Sequence, residues 1–139
     1  LREGFGRYFY QDGGYYEGEW HRNKMTGFAK LYYQNGEIAY EGYWNNDMFN
    51  GTGKLWNDCP EHFQEPFDYR DFSKVGSKWV HYSGCFLDDV RIGVGTLTLT
   101  NGERYEGEFR EDQLHGCGKF YAMDGTVHSG TWLNDCLQP

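Results

Sequence analysis

The stretch Tyr16–Trp20, which reads Tyr-Glu-Gly-Glu-Trp, recurs along this chain and determines its fold. Close copies begin at Tyr40 and Tyr105. Weaker copies, Tyr-Ser-Gly-Cys-Phe and His-Ser-Gly-Thr-Trp, begin at Tyr82 and His128. Their central glycines follow one another at intervals of 24, 42, 23 and 23 residues. A fixed period in the low twenties is the signature of a repeat array.

A second motif, Gly-x-Gly, begins seven residues after the last aromatic residue of four copies. It starts at Gly51, Gly93 and Gly116, and an imperfect version, Gly-Phe-Ala, starts at Gly27. Three of these motifs open a run that ends in Asn-Gly or Asp-Gly, dipeptides typical of tight hairpin turns. We therefore expect each repeat to be a β-hairpin whose second strand begins at the Gly-x-Gly motif, and consecutive hairpins to form one antiparallel meander.

Strand geometry separates the repeated residues into two sets. Successive side chains of a strand alternate between its faces, so Tyr16, Gly18 and Trp20 share one face while Glu17 and Glu19 share the other. An aromatic ring beside a strand glycine lies flat over the neighbouring backbone. We interpret the repeated rings and glycines as the packing of a single sheet, and the Glu residues as its solvated face.

Composition narrows the class of partner. The net charge of −8 disfavours nucleic acid and anionic membranes as electrostatic partners. No apolar run approaches the length of a membrane span. The four cysteines lack a C-x-x-C spacing, which favours reduced thiols in the cytoplasm over disulfides or a zinc site. The chain starts within a repeat and without Met, so we expect it to be a fragment of a longer array.

Residues with catalytic potential do not form a known pattern. His115 lies two residues from Cys117, but no Asp or Asn is placed to orient the imidazole. The other histidines lack metal-ligand spacing, and the Gly-x-Gly pairs lack the helix and Lys of a phosphate-binding loop. The paired carboxylates, such as Glu17 and Glu19, lack the loop spacing of a calcium site. We predict no enzyme activity, no cofactor and no metal.

These residues carry a resemblance to a known family. Tyr-Glu-Gly-Glu-Trp, a polar turn, Gly-x-Gly and an aromatic strand ending in Asp-Gly or Asn-Gly resemble the MORN (membrane occupation and recognition nexus) repeat. The resemblance covers the chain from Gly4 to about Leu137, and Ala29, His128 and the Ser-Gly copies depart from its pattern. It implies an all-β fold, an elongated and twisted single-sheet solenoid. It also implies a non-catalytic role, as a scaffold at cytoskeletal, ciliary or membrane-junction structures or as an accessory array on an enzyme.

The repeats divide residues 1–139 into one array with one insertion. We expect a partial repeat at 1–14, repeats at about 15–38, 39–58, 78–104, 105–127 and 128–137, and an insertion at about 59–77. The insertion has two prolines and the four aromatic residues Phe63, Phe67, Tyr69 and Phe72, too many for a solvated linker. Its rings either cover the sheet, the arrangement we favour, or form a partner-binding knob.

Two functions follow from this interpretation. The first is a structural protein whose concave, glycine-lined groove binds protein partners in a larger assembly, at the cytoskeleton or in the axoneme of a cilium or flagellum. The alternative is a lipid-associating accessory module that positions an attached enzyme domain, such as a lipid kinase or methyltransferase. As partner-binding residues we predict exposed groove rings and insertion rings: Tyr16, Trp20, Tyr40, Trp44, Tyr105 and Phe109 in the groove, and Phe63, Phe67 and Tyr69 in the insertion.

Overall fold

The computed structural model describes residues 2–139 and consists of one open antiparallel sheet of eleven strands. Every strand pairs with the next one along the chain, as the repeat pattern predicts. Leu1, where the predicted partial repeat starts, lies outside the described residues. The strands are β1 Gly4–Phe9, β2 Tyr15–His21, β3 Lys24–Tyr32, β4 Ile38–Asn45, β5 Met48–Trp56, β6 Trp79–Leu87, β7 Val90–Leu99, β8 Arg104–Arg110, β9 Gln113–Tyr121, β10 Val127–Leu133 and β11 Cys136–Leu137.

A row of small residues crosses the sheet and fixes the register between strands. Gly42 pairs with Gly53, Gly53 with Gly84, and Gly84 with Gly95. The row continues to Gly130 on β10, and only β3 departs from glycine, with Ala29 opposite Gly42. On both sides of this row, therefore, the aromatic side chains of every repeat fall at equivalent positions.

A two-residue turn joins the two strands of each hairpin, and all of these turns lie at the same end of the strands. Because the turns are so short, the strands are longer than predicted. Both residues of each turn have positive φ, for example 47° at Asp88 and 71° at Asp89. This is the type I′ geometry that suits the twist of a hairpin. The expected strand starts at Gly27, Gly51 and Gly93 were wrong, because these strands begin three residues earlier. The first glycine of the motif instead lies at a bulge, where its own φ is positive.

Hydrogen bonds also connect each turn region to the next one at this end of the strands. In four turns, the carboxylate of the second residue accepts a hydrogen bond from the backbone N–H two residues past the preceding turn: Asp47 from Met25 at 2.7 Å, Asp89 from Phe49 at 2.7 Å, Asp112 from Arg91 at 2.7 Å and Asp135 from Leu114 at 2.9 Å. The backbone N–H of each acceptor residue donates to the carbonyl of the same partner, at 3.0–3.2 Å. This turn ladder connects each repeat to the one before it.

Removing one rung of the turn ladder should weaken the fold modestly. We expect Asp112→Gly to lower the free energy of unfolding by about 1 kcal/mol, because the Arg91 N–H loses its acceptor. Glycine accepts the positive φ of 70° at this position, so backbone strain does not add to the loss of the two contacts that Oδ1 makes with Arg91, at its backbone N–H and at Nε. Asp112→Asn keeps an acceptor oxygen and tolerates the same φ, so it should remain near wild type in urea unfolding. Equal losses of unfolding free energy for both variants would contradict the role of the Asp112 side-chain oxygen as a stabilising acceptor.

The insertion leaves the sheet after β5 and returns at β6. It contains one turn of 3₁₀-helix, Phe72–Lys74, which Asp71 caps by accepting from the Ser73 N–H at 3.0 Å. Asp71 also forms an isolated β-bridge with Cys136 beside the last strand. The segment therefore crosses from the middle of the sheet to its C-terminal end. Between residues 2 and 139, no helix has the length and apolarity that crossing a membrane requires.

Candidate partner-binding site

One face of the sheet, here called the aromatic face, carries the repeated rings. The first tyrosine of each repeat donates its hydroxyl to the backbone carbonyl three residues later: Tyr16 to Glu19 at 2.7 Å, Tyr40 to Tyr43 at 2.9 Å, Tyr82 to Cys85 at 3.0 Å and Tyr105 to Glu108 at 3.0 Å. Each of these rings also meets its neighbours edge to face, such as Tyr82 with Phe109 at 5.1 Å between centroids. The repeated tyrosine thus connects two repeats while its polar end is satisfied.

The glycine row provides the space that these rings occupy. A Cβ placed on Gly84 would lie 2.5 Å from the hydroxyl of Tyr82, and one placed on Gly118 would lie 2.6 Å from Cζ of Tyr105. Real Cβ atoms do not approach that closely, so each ring lies directly over the glycines of its own strand and of the next strand. The glycines of the repeat are therefore required by packing, as the sequence indicates.

The predicted groove rings are buried rather than exposed, so that part of the prediction was wrong. Their exposed fractions range from 0% to 8%: Tyr16 0%, Trp20 8%, Tyr40 0%, Trp44 5%, Tyr105 0% and Phe109 3%. Each ring is covered by edge-to-face or tilted neighbours in its own repeat and in adjacent repeats, which leaves little of its surface for a partner. Their contribution to partner binding stays a prediction.

Burial of the tyrosines should make the fold sensitive to alkali. Burial raises the pKa of Tyr16 and Tyr82 to about 12, and it raises the pKa of Tyr40 and Tyr105 as well. An unfolded tyrosine ionises near pH 10, so the stabilisation is complete below about pH 10 and is lost as the pH rises towards the folded values. We expect the free energy of unfolding to fall steeply between about pH 10 and about pH 12.

Urea unfolding at stepped pH measures this loss, and tyrosinate absorbance reports the ionisation. Tyr82→Phe removes one ionisable group, so its stability should depend less steeply on pH than that of the wild type. A flat stability profile through this range would contradict the role of burial.

The insertion covers the C-terminal part of the aromatic face. Phe72 is 1% exposed and packs against Tyr105 and Phe120, with centroid distances of 5.8 and 5.9 Å. Tyr69 stacks on Phe120 at 5.1 Å and on His128 at 4.4 Å. His128 occupies the position of the repeated tyrosine, and the Tyr69 hydroxyl lies in hydrogen-bond contact with its Nδ1 at 3.1 Å. The covering arrangement is the one that the structure shows.

Polar contacts fasten the insertion to the sheet. Glu103 is 1% exposed, and its carboxylate accepts from the backbone N–H of Phe67 at 2.8 Å and of Met123 at 3.0 Å. The indole N–H of Trp132 donates to the carbonyl of Tyr69 at 2.9 Å. Main-chain bonds from Leu137 to Arg70 and from Phe72 to Asp135, both 2.8 Å, complete the attachment. The insertion is therefore a bound segment with its own hydrogen bonds.

The three predicted insertion rings have different environments. Phe67 is 8% exposed and contacts Phe72 at 4.9 Å, so it belongs to the core. Tyr69 is partly buried between the sheet and solvent. Phe63 is also partly buried, with the ammonium group of Lys78 at 5.6 Å from its ring. Whether any of them binds a partner stays a prediction.

The aromatic face remains open towards the N-terminal half, over β1 to β5, and this region is here called the open half. A depression of about 570 Å³ in this region is lined by Tyr10, Leu31 and Tyr33 together with polar residues of the adjoining turns such as Asp12 and Asp58. Another, of about 240 Å³, lies beyond the open half, where Leu55 meets β6, β7 and the end of the insertion. Six apolar or aromatic side chains of the open half pack on the core but are only partly buried: Tyr8, Tyr10, Met25, Leu31, Phe49 and Leu55. The open half thus presents apolar surface that a further segment could cover.

The repeat family follows from the sequence matches. A family model described as the MORN repeat matches residues 1–15, 16–38, 40–58, 82–104 and 105–127, well over half of the chain. The chain belongs to the MORN-repeat family. The matched segments leave out the insertion, which is a feature of this MORN-repeat array between its third and fourth matched repeats.

Named relatives of this MORN-repeat array come from mammals. The chain is similar to "Alsin" of Rattus norvegicus, 27% identical over 125 residues, to that of Homo sapiens, 26% identical, and to that of Mus musculus, 28% identical. Each match covers 86% of this chain and 7% of the relative. The chain thus spans a small fraction of the length of the curated relatives it matches.

Several features of the site gave no recognisable signal in the sequence. Glu103 follows an Asn-Gly turn and reads as a solvated residue, yet it is the buried anchor of the insertion. Its partner lies 36 residues away, beyond the reach of any local pattern. The pair considered for catalysis, His115 and Cys117, lies within β9, with Cys117 exposed. Among residues 2–139 no cluster of three metal-ligating side chains is present.

Proposed function

We propose that this chain is a non-catalytic MORN-repeat scaffold whose open half binds an extended, apolar segment of a protein partner within a larger cytoskeletal or ciliary assembly. The observation that carries the proposal is the insertion itself. A segment of this chain lies across the aromatic face at one end of the sheet, using rings such as Phe72 and main-chain hydrogen bonds, while at the other end residues 2–139 leave an open depression lined by Tyr10 and Leu31. The family resemblance supports the scaffold role and the cytoskeletal or ciliary setting.

A pull-down from extract of the source cells at high salt tests the binding face. We compare the wild-type chain with Leu31→Glu/Leu55→Glu, which places two charges in the open half, where both residues are partly buried. Thr52→Glu/Thr131→Glu places the same charges at exposed positions of the opposite face and serves as the matched control. A partner that the control retains and the open-half variant loses would support the proposal. Equal retention would contradict it, provided that melting temperatures show both variants folded.

An accessory role on an enzyme is the second candidate function. The support is the extent of the match, since the chain corresponds to a small part of much longer relatives. In this case the array associates with lipid and positions a domain elsewhere in its protein. Binding to vesicles of anionic lipid that declines with added salt would favour this candidate, whereas binding to a protein partner that resists high salt favours the scaffold.

A further inference from the structure

The face opposite the aromatic face carries a row of alternating charges. Arg7, Glu17, Lys30, Glu41 and Lys54 are paired in register across β1 to β5, and they define the charged row. Neighbouring positions in the row are one strand apart, about 4.8 Å. The sign of the charge therefore alternates from strand to strand, with positive charges on β1, β3 and β5 and negative charges on β2 and β4. The charges on this face thus form a regular pattern, unlike those of a generally solvated surface.

Exposed apolar side chains flank the charged row on both sides. Phe5 is 72% exposed and Phe9 64% exposed on β1, while Phe28 and Tyr43 are each 50% exposed on β3 and β4. On the Phe9 side, Tyr15 stacks on Tyr32 with a centroid distance of 4.4 Å. On the Phe5 side, Glu19 of β2 lies between Phe5 and the aromatic residues of β3 and β4, so the apolar surface there is interrupted by one carboxylate. Grouped exposed aromatic side chains of this kind mark an interaction site more often than free surface.

We propose that this face, over β1 to β4, binds the same face of a second copy of the chain. The two copies are related by a two-fold axis that lies between the two facing sheets. It runs parallel to the strands and passes between β2 and β3. This axis reverses the order of the strands, so Arg7 faces Glu41 of the second copy and Glu17 faces Lys30 of the second copy. Because the row alternates over an even number of strands, the reversed row is complementary to the original at all four positions.

The same axis also matches the apolar side chains. Phe5 meets Tyr43 of the second copy, and Tyr15 meets Tyr32 of the second copy, because each flanking line is reversed together with the row. An axis running across the strands would instead place Arg7 against Arg7 and Glu17 against Glu17. The charge pattern therefore selects one of the two simple face-to-face arrangements.

The spacing of the row argues for a second copy over other partners. Side chains on one face of an extended peptide repeat at nearly 7 Å and those on a helix at 5–6 Å, so neither keeps step with a 4.8 Å row over four positions. A uniformly charged partner, such as nucleic acid or an anionic membrane, gains little from a row in which the signs cancel. Only another sheet has the required spacing.

The charges of the row are available for such a contact. Among residues 2–139, Arg7 and Glu17 form an ion pair at 2.7 Å, whereas Lys30, Glu41 and Lys54 form none within 4.0 Å. The patch measures about 19 Å across the strands and about 17 Å along them, or about 320 Å² on each copy, which is smaller than a standard specific interface and corresponds to a weak, transient one. We therefore expect a reversible dimer in the micromolar range or weaker.

Sedimentation velocity over a concentration series is the first test. We expect the wild-type chain to shift from monomer to dimer with concentration, and Phe5→Ser/Tyr43→Ser to weaken the dimer at least about tenfold. Both side chains are half or more exposed, so the variant should keep the wild-type melting temperature. A chain that stays monomeric throughout, or one whose dimer ignores these substitutions, would overturn the proposal. Loss of a different protein partner or of vesicle binding in the variant, without dimerisation, would assign the face to that partner instead.

Inverting the whole row tests the charge pairing independently of folding. The inverted chain carries Arg7→Glu, Glu17→Arg, Lys30→Glu, Glu41→Lys and Lys54→Glu, which preserves the alternation within its own sheet. We expect it to dimerise with itself but not with wild type, because every position of a mixed pair brings like charges together. Energy transfer between differently labelled chains measures the mixing. Mixed dimers at the random frequency would overturn the pairing. The open half plays no part in this experiment, so its outcome is independent of the proposed scaffold function.

Discussion

Gly95→Ala should severely destabilise the array, with a loss of about 3 kcal/mol in the free energy of unfolding, the upper end of the usual cost of overpacking a core. A Cβ at this position would lie 2.5 Å from Cε1 and 2.6 Å from Cζ of Tyr82, whose ring is fully buried. The ring has no free direction, because its hydroxyl is bonded to the Cys85 carbonyl and its edge meets Phe109. The extra methyl group therefore forces the strands apart at the centre of the sheet. Urea unfolding followed by circular dichroism gives the free energy.

A matched control exists in the same row of glycines. Gly6 pairs with Gly18 at the equivalent position of β1, but the nearest atom to a Cβ there is the indole nitrogen of Trp20 at 3.9 Å. We expect Gly6→Ala to change stability by no more than about 0.5 kcal/mol, or to raise it slightly by restricting the unfolded chain. Equal effects of the two substitutions would show that strand propensity, and not the buried tyrosine ring, explains the glycine of the repeat.

The local architecture could be predicted because each of its signals is short-ranged. The period of the Tyr-Glu-Gly-Glu-Trp copies indicates hairpins, and Asn35-Gly36 and Asp124-Gly125 mark turns whose glycines have φ of 87° and 90°. Strand alternation places Tyr16 and Gly18 on one face. These inferences need only neighbours in sequence or the next repeat, and the structure confirms the all-β meander.

The remaining features depend on contacts that no local pattern contains. Asp135 bonds to Leu114 and Glu103 to Phe67, across 21 and 36 residues respectively. The exposure of the rings was misjudged because a single sheet was expected to leave its concave face open. Instead, the ring of one repeat fills the space beside the next, as Trp44 does between Tyr16 and Tyr40. Burial in a repeat array is set by these contacts between repeats and not by the composition of each one.

The position at which the insertion packs on the sheet is the feature least predictable from the sequence, and Phe72→Ala tests it most directly. We expect this substitution to lower the free energy of unfolding by about 3–5 kcal/mol, the usual cost of removing a buried phenylalanine ring. Phe72 is the side chain through which the insertion contacts both Tyr105 and Phe120, so its loss leaves a cavity between the segment and the sheet. Chemical unfolding measures the loss.

Proteolysis distinguishes a released insertion from a general loss of stability. Arg70 and Lys74 lie within the insertion, so trypsin should cut Phe72→Ala there at a higher rate than wild type, before it cuts the strands. Phe63→Ala is the matched control, since Phe63 belongs to the same segment but is only partly buried, and it should cost less than about 1.5 kcal/mol. If the insertion were a knob held away from the sheet, each substitution would change the free energy of unfolding by less than about 0.5 kcal/mol. Trypsin would then cut the insertion of the wild type as readily as that of the variant. The packed insertion instead requires the two phenylalanines to differ, because only one of them fills the space between the insertion and the aromatic face.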